Sequence, residues 1–388
     1  MKIRPSIRAV FASALSVVAL VAGSGPVGAS GATITTVISG LEGPRGVAFD
    51  GHGNLYVSET GKFFNIAPGP LGVSRTGKVD RFRVSGNGAQ LVWATPFDSL
   101  YDAAHGAPEV LGPEGISTVC MGADENSCQV RMIESESTRG VNATTPGLSF
   151  SQIGQLFALN PENGQAVSKS DVGDQQYAWS AANAKLWQEF PDSNPYGVLT
   201  VRDHKDSGKV RTFVVDAGSN TVSEVMRDGT VRVIAFIPND PVRDSTPTCA
   251  AMGPDGALYV GTLDFVANLF VFGPGQSHVY RVDPDTTENF IDAGKHVWAS
   301  GLTTITACTF DHSGNFWATE MFQPNPAGPP GDLVRIPFAN PSSHQRVGGG
   351  ALPVPGGVTP GNDGSLYVSI NSANTAPGSG KIVRVTPA

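Results

Sequence analysis

Histidine is scarce in this 388-residue chain. The seven present, His52, His105, His204, His278, His296, His312 and His344, show no metal-ligand spacing. His52 and His312 stand in matching turns and read as repeated turn residues. Cysteine numbers only four, and no C-x-x-C occurs, which excludes a zinc ribbon. No G-x-S-x-G is present, so a serine-hydrolase elbow lacks support. Charge is sparse as well: Asp, Glu, Lys and Arg make up 15% of the chain, and the net charge is −8. An acidic chain of this kind has no electrostatic footprint for nucleic acid or for an anionic membrane surface. Beyond the N-terminus no run is long and apolar enough to span a membrane.

The one apolar run lies at the start. Lys2, Arg4 and Arg8 precede an uncharged stretch over 9–22, and small residues follow as far as Ala32. That order is the signature of a secretory signal peptide, and a run of about 14 residues is short for a bilayer. The expected organisation is a leader over 1–32, cleaved around Ala29 to Ala32, and a single domain over 33–388, secreted or extracytoplasmic. Loss of the leader removes three positive charges and takes the balance from −8 to −11. In an exported chain the four cysteines favour disulfides. Cys120 and Cys128 flank the polar, turn-rich loop MGADENS, which closes easily.

Glycine and proline are plentiful, 47 and 29 residues, without simple sequence, which points to many turns. The stretch GPRGVAFDGHGNLYVSETG at 43–61 recurs. Its copies are SNPYGVLTV with RTFVVDAGSN (193–201, 211–220), TPTCAAMGPDGALYVGTLD (246–264), TITACTFDHSGNFWATEMF (304–322) and VPGGVTPGNDGSLYVSINS (354–372). A weaker one, GPEGISTVC then QVRMIESES, falls within 112–137. The residue after Pro-x marks each copy: Gly46, Gly115, Gly197, Cys249, Ala307 and Gly357, at intervals of 69, 82, 52, 58 and 50. Periods near 50 with four short strands each predict an all-β fold, a six-bladed β-propeller of four-stranded blades. The last copy ends in LYVSI and KIVRVTP and lacks a fourth strand. ITTVISG at 34–40 is expected to supply it, closing the ring and removing an exposed edge.

Local chemistry agrees with this reading. Asp50-Gly51 and Asp255-Gly256 are hairpin turns, where Asp bonds its own backbone and Gly takes a positive φ. Tyr56, Tyr259, Trp317 and Tyr367 share one strand position and are expected to pack between neighbouring blades. Two insertions interrupt the repeat. One covers 61–76. The other covers 172–190, holds Tyr177, Trp179, Leu186 and Trp187, and suits a short helix, as a packed connector in preference to a lid over the channel. Cys249 and Cys308 occupy nearly equivalent places in adjacent first strands. A bridge is expected there, although ordinary strand spacing approaches the limit of about 7 Å between Cα atoms. Asn142-Ala143-Thr144 matches a glycosylation sequon.

Taken together, SGLEGPRGVAFD with LYVSETG, DSNPYGV, GPDGALYVG with VYRVDP, and LYVSINS with GKIVRV resemble the ScyD/ScyE family of exported propeller proteins, within the NHL-like group. The resemblance covers nearly the whole mature chain. It implies a six-bladed propeller and no established reaction.

In a propeller the first strands line the channel, and the second strands end on the face where the first begin. Counting 13 residues from Gly46 reaches Glu59, and from Ala307 reaches Glu320; Asp216 ends the equivalent strand RTFVVD. Acids in blades one, three and five, at alternate positions, would attract Ca²⁺ or another divalent cation to the mouth. The plainer alternative is that each acid caps a nearby backbone amide. The Glu42-Gly43-Pro44 corner is similar to one in gluconolactonase-type propellers, where a channel Glu and an Asn help hold a divalent metal. Glu42 and Asn194 are the matching residues, while Thr248 and Thr304 stand where a third acid belongs. Asp192 or Asn194 also suits an Asx turn. The residues preceding the first three marker glycines, Arg45, Glu114 and Tyr196, are expected to contact a ligand. The favoured function is an exported, monomeric scaffold presenting its channel mouth to a protein, glycan or small molecule. The alternative is a metal-dependent, lactonase-like hydrolase whose ion polarises a carbonyl or activates water.

Overall fold

The structure, a computed structural model, describes residues 31–387 except 63–70, 87, 103–108, 149–150, 188–190, 238–244, 287–292, 325–326, 329 and 374–375. The expected leader falls almost wholly outside this range. Six antiparallel sheets form the blades of a six-bladed propeller. Each starts with a channel-lining strand: Pro44–Phe49, Pro113–Cys120, Pro195–Arg202, Pro247–Met252, Ile305–Phe310 and Val358–Pro360. All six marker residues border the channel, as the repeat predicts. The strand Thr33–Leu41 pairs antiparallel with Gly380–Thr386, from Thr33 opposite Thr386 to Leu41 opposite Gly380. The N-terminal strand therefore completes the last blade, and both ends of the domain are held in one sheet.

Glycine at the marker positions has a steric cause. A Cβ on Gly46 would lie 2.5 Å from the Glu114 carbonyl oxygen of the next blade. On Gly115 it would lie 2.8 Å from that of Tyr196, on Gly197 2.6 Å from that of Thr248, and on Gly357 2.6 Å from that of Arg45. The inner strands thus approach too closely for any side chain there. Between blades four and five, where Cys249 and Ala307 replace glycine, Cys249 is bonded to Cys308 across a Cα separation of 5.7 Å. That is inside the limit of about 7 Å. Cys120 and Cys128 face each other across the first hairpin of blade two and form the second disulfide.

The repeated aromatics are buried between blades. Tyr56 packs with Ile116 and Met132 of blade two, Tyr259 with Phe316 and Val334 of blade five, and Trp317 with Val368 and Val383 of blade six. Tyr367 closes the ring against Leu55 and Phe82 of blade one. Each polar tip reaches the Asp of its own hairpin turn: Tyr56 to Asp50 (3.4 Å), Tyr259 to Asp255 (3.2 Å), Trp317 to Asp311 (2.8 Å) and Tyr367 to Asp363 (3.3 Å). One turn residue thereby fixes its own loop and satisfies the buried aromatic donor.

Blade one departs from four strands. Its third and fourth strands, Leu71–Ser85 and Gly88–Asp102, are 15 residues each, and a fifth, Glu109–Leu111, adds to the outer edge. The stretch 61–76, expected as an insertion, runs into the long third strand from Leu71, and 63–70 lie outside the described residues. In the second insertion a helix, Val172–Ala182, is capped by the Asp171 side chain, which accepts from the Asp174 amide. Gln176, fully buried, donates to the Ser223 hydroxyl and accepts from that of Thr221 (3.2 Å), and Trp179 lies 5.8 Å from Phe236. These contacts seat the helix on blade three as a connector. No described helix is long and apolar enough to cross a membrane.

Candidate functional site at the channel mouth

A cavity of about 80 Å³ opens along the axis among the inner strands. Its polar character is concentrated on blades one to three. There the residues before the marker glycines are Arg45, Glu114 and Tyr196, and the structure brings all three to the cavity wall. On blades four and five the corresponding hydroxyls are committed to backbone: Thr248 Oγ1 donates to the Ile305 carbonyl and Thr306 Oγ1 to that of Pro355, both at 2.8 Å.

Arg45 Nε lies 3.8 Å from Glu114 Oε2. Burial works against the Arg45 charge, yet Glu114 and Tyr196 outweigh it and hold the guanidinium protonated, its pKa raised. Burial pushes the Glu114 carboxyl up to about 7, against the pull of Arg45. It pushes the Tyr196 phenol up to about 12, again opposed by Arg45. The mouth therefore carries a fixed cation, an acid raised toward neutrality and a neutral phenol. Such a set can both donate and accept hydrogen bonds to a polar molecule.

The strand-end acids stay with their own blades. Glu59 Oε2 accepts from the Glu42 amide at 2.5 Å, and Oε1 pairs with Lys78 at 2.9 Å. Burial and the neighbouring Asp80 raise its pKa, with Lys78 opposing. Asp216 accepts from the Ser193 hydroxyl (2.7 Å) and from the Asn194 and Ser219 amides (both 2.8 Å); burial pushes it up to about 6 against these donors. Glu320 accepts from the Thr303 amide (2.7 Å) and pairs with Arg346 (2.7 Å); burial pushes it up to about 7, opposed by Arg346. Each acid caps the loop that leads into its own inner strand. Among the described residues, the one group of three His, Cys, Asp or Glu side chains with ligand atoms within 4.8 Å of one another is His52 with Cys120 and Cys128, whose sulfurs share a disulfide. Glu59, Asp216 and Glu320 are not brought to one point. Glu42 Oε2 accepts from the Gly378 amide (3.0 Å), and Asn194 Oδ1 from that of Glu136 (3.4 Å).

A fourth acid went unread in the sequence. Glu134 lies opposite Pro113, the register that Glu59, Asp216 and Glu320 hold opposite Pro44, Pro195 and Ile305. Acids therefore occupy blades one, two, three and five, and the expected alternation does not hold. Unlike its counterparts Glu134 caps nothing, because the segment before its inner strand, Glu109–Leu111, is paired onto blade one. Burial raises its pKa well above the usual range, and Asp98 and Glu114 add to the effect.

No family model matches the chain, and no curated protein matches it. Solved structures share the fold at low identity. An oxidoreductase described as a glucose dehydrogenase from Thermus thermophilus is 13% identical, with a TM-score of 0.51, 92% of this chain and 100% of that one covered. The soluble aldose sugar dehydrogenase of Escherichia coli is 12% identical, with a TM-score of 0.52 over 92% and 100% of the two chains. The calcium structure of a family AA12 carbohydrate-active enzyme of Trichoderma reesei is 12% identical, with a TM-score of 0.52 over 95% and 98%. The chain is a six-bladed β-propeller with structural neighbours among propeller enzymes.

Proposed function

We propose that this is an exported propeller of the ScyD/ScyE type whose channel mouth binds a small polar molecule. The reading is carried by one observation: Arg45 and Glu114, both buried, and the half-buried Tyr196, from three successive blades, stand together on the wall of the axial cavity. Buried polar side chains of mixed sign, beside a cavity of limited size, suit a compact ligand with both donors and acceptors, such as a polyol or hydroxy acid. Two disulfides and no free cysteine among the described residues support an oxidising compartment.

The test is a thermal-shift and calorimetric screen of the mature protein against a panel of aldoses, polyols and hydroxy acids. A panel member should raise the melting temperature, with the shift lost in Arg45→Ala and reduced in Tyr196→Phe. A panel with no effect, or one acting equally on wild type and Arg45→Ala, would remove the reading.

A further inference from the structure

Six buried polar atoms at the entry of blades one and two have no hydrogen-bond partner among the described residues. They are both carboxylate oxygens of Glu114, both of Glu134, the Ser135 hydroxyl and Arg45 Nε. Glu134 is fully buried, and Glu114 is 1% exposed. Glu114 and Asp98 are the neighbours that act on the Glu134 charge, and both are acids. Buried carboxylates without donors are rare, because the lost hydration is not replaced. The sister acids show the usual remedy, a backbone amide and, for Glu59 and Glu320, a cation. At Glu134 no described amide serves, and the segment before its inner strand, Glu109–Leu111, forms the fifth strand of blade one.

The unpaired set is one-sided. Five of its six atoms are oxygens, four belong to carboxylates, and one nitrogen is a donor. An excess of hard oxygen ligands without thiolate or imidazole suits an alkaline-earth cation, which completes its shell with carbonyls and water. We propose that Glu114 and Glu134, on the first two strands of blade two, bind a divalent cation of the calcium class at the entry of that blade. Arg45, 3.8 Å from Glu114 Oε2, limits the negative charge of the site and orients that carboxylate. The site uses neither the Glu42–Asn194 pair nor the acids of blades three and five. It shares Arg45 and Glu114 with the small-ligand reading above and does not depend on it.

The experiment uses chelator-treated mature protein, titrated with CaCl₂ by calorimetry and with Tb³⁺ by luminescence, with melting temperature as a third readout. About one ion per chain and a rise in melting temperature are expected at concentrations up to ~5 mM. Glu134→Gln and Glu114→Gln should each weaken calcium binding by about tenfold or more. Asp216→Asn, in the adjacent blade three and bonded to its own entry loop, should leave it unchanged. A folded wild type with no saturable binding of Ca²⁺ or Tb³⁺ would overturn the proposal whatever the variants do. So would an unaltered affinity in a folded Glu134→Gln variant. Calcium binding with no response to the polyol and hydroxy-acid panel sinks the ligand reading alone, and the reverse sinks the cation alone.

Discussion

Arg45 and Glu114, on the inner strands of adjacent blades, face each other at 3.8 Å with 8% and 1% of their side chains exposed. A buried pair of this kind contributes little net stability, but removing one partner strands the other. Arg45→Met should cost about 3–5 kcal/mol at pH 8, where Glu114 is ionised. The double variant Arg45→Met/Glu114→Leu should recover most of that loss. Urea denaturation of the four proteins of the cycle measures the coupling. Additive single effects would show that the two side chains do not sense one another.

The inner-strand glycines make a sharper mechanical prediction. A methyl group on Gly115 would lie 2.7 Å from the Val198 amide nitrogen and 2.8 Å from the Tyr196 carbonyl oxygen, both backbone atoms of blade three. Gly115→Ala should therefore push two blades apart and cost about 1–3 kcal/mol, as overpacking does. In the first hairpin turn the positive φ falls on Gly53 (83°) and not, as expected, on Gly51, which has nothing within 4 Å of its would-be Cβ, so Gly51→Ala should be close to neutral. Comparing the two melting temperatures tests the contact directly.

Most of the architecture was legible because the repeat is itself a packing rule. Glycines at 46, 115, 197 and 357 are demanded by interblade contact, and Asp-Gly turns with a following aromatic are demanded by one hydrogen bond. Both leave residues at fixed spacing. Glu134 was hidden by a local insertion: the Cys120–Cys128 loop lengthens the first hairpin of blade two, so the 13-residue count from Gly115 stops at Cys128, at the base of the second strand. The long hairpin of blade one was equally opaque. SRTGKVDRFRVS mixes charged and apolar residues without strict alternation, and a fifth strand of three residues has no pattern of its own. Convergence of the acids could not be read from spacing either, because strand register fixes height along the channel and leaves side-chain direction to the capping partner.

The two disulfides should differ in worth. Cys249–Cys308 closes a loop with a sequence separation of 59, and Cys120–Cys128 one of 8. Loop-closure entropy then assigns about 4 kcal/mol to the first and about 2.5 kcal/mol to the second. The first also joins two blades, whereas the second only fastens a hairpin already paired. Cys249→Ala/Cys308→Ala should lower the melting temperature more than Cys120→Ala/Cys128→Ala, and equal losses would contradict the ranking.

Asp216 sets a pH dependence whose sign can be worked out. Its carboxyl is pushed up to about 6 in the fold from an ordinary 3.8, mainly by burial. Below the unfolded value both states are protonated, and the stabilising contribution is fully present. As pH rises from about 4 to 6 the unfolded chain ionises first, so stability is lost across that window and stays lost above it. The difference corresponds to about 3 kcal/mol at 1.36 kcal/mol per unit. Asp216→Asn cannot titrate, so its deficit relative to wild type should be larger at pH 4 than at pH 7 by roughly that amount. Denaturant titrations of both proteins at the two pH values give the comparison, and a deficit that grows with pH would show that the three donors to Asp216 outweigh its burial.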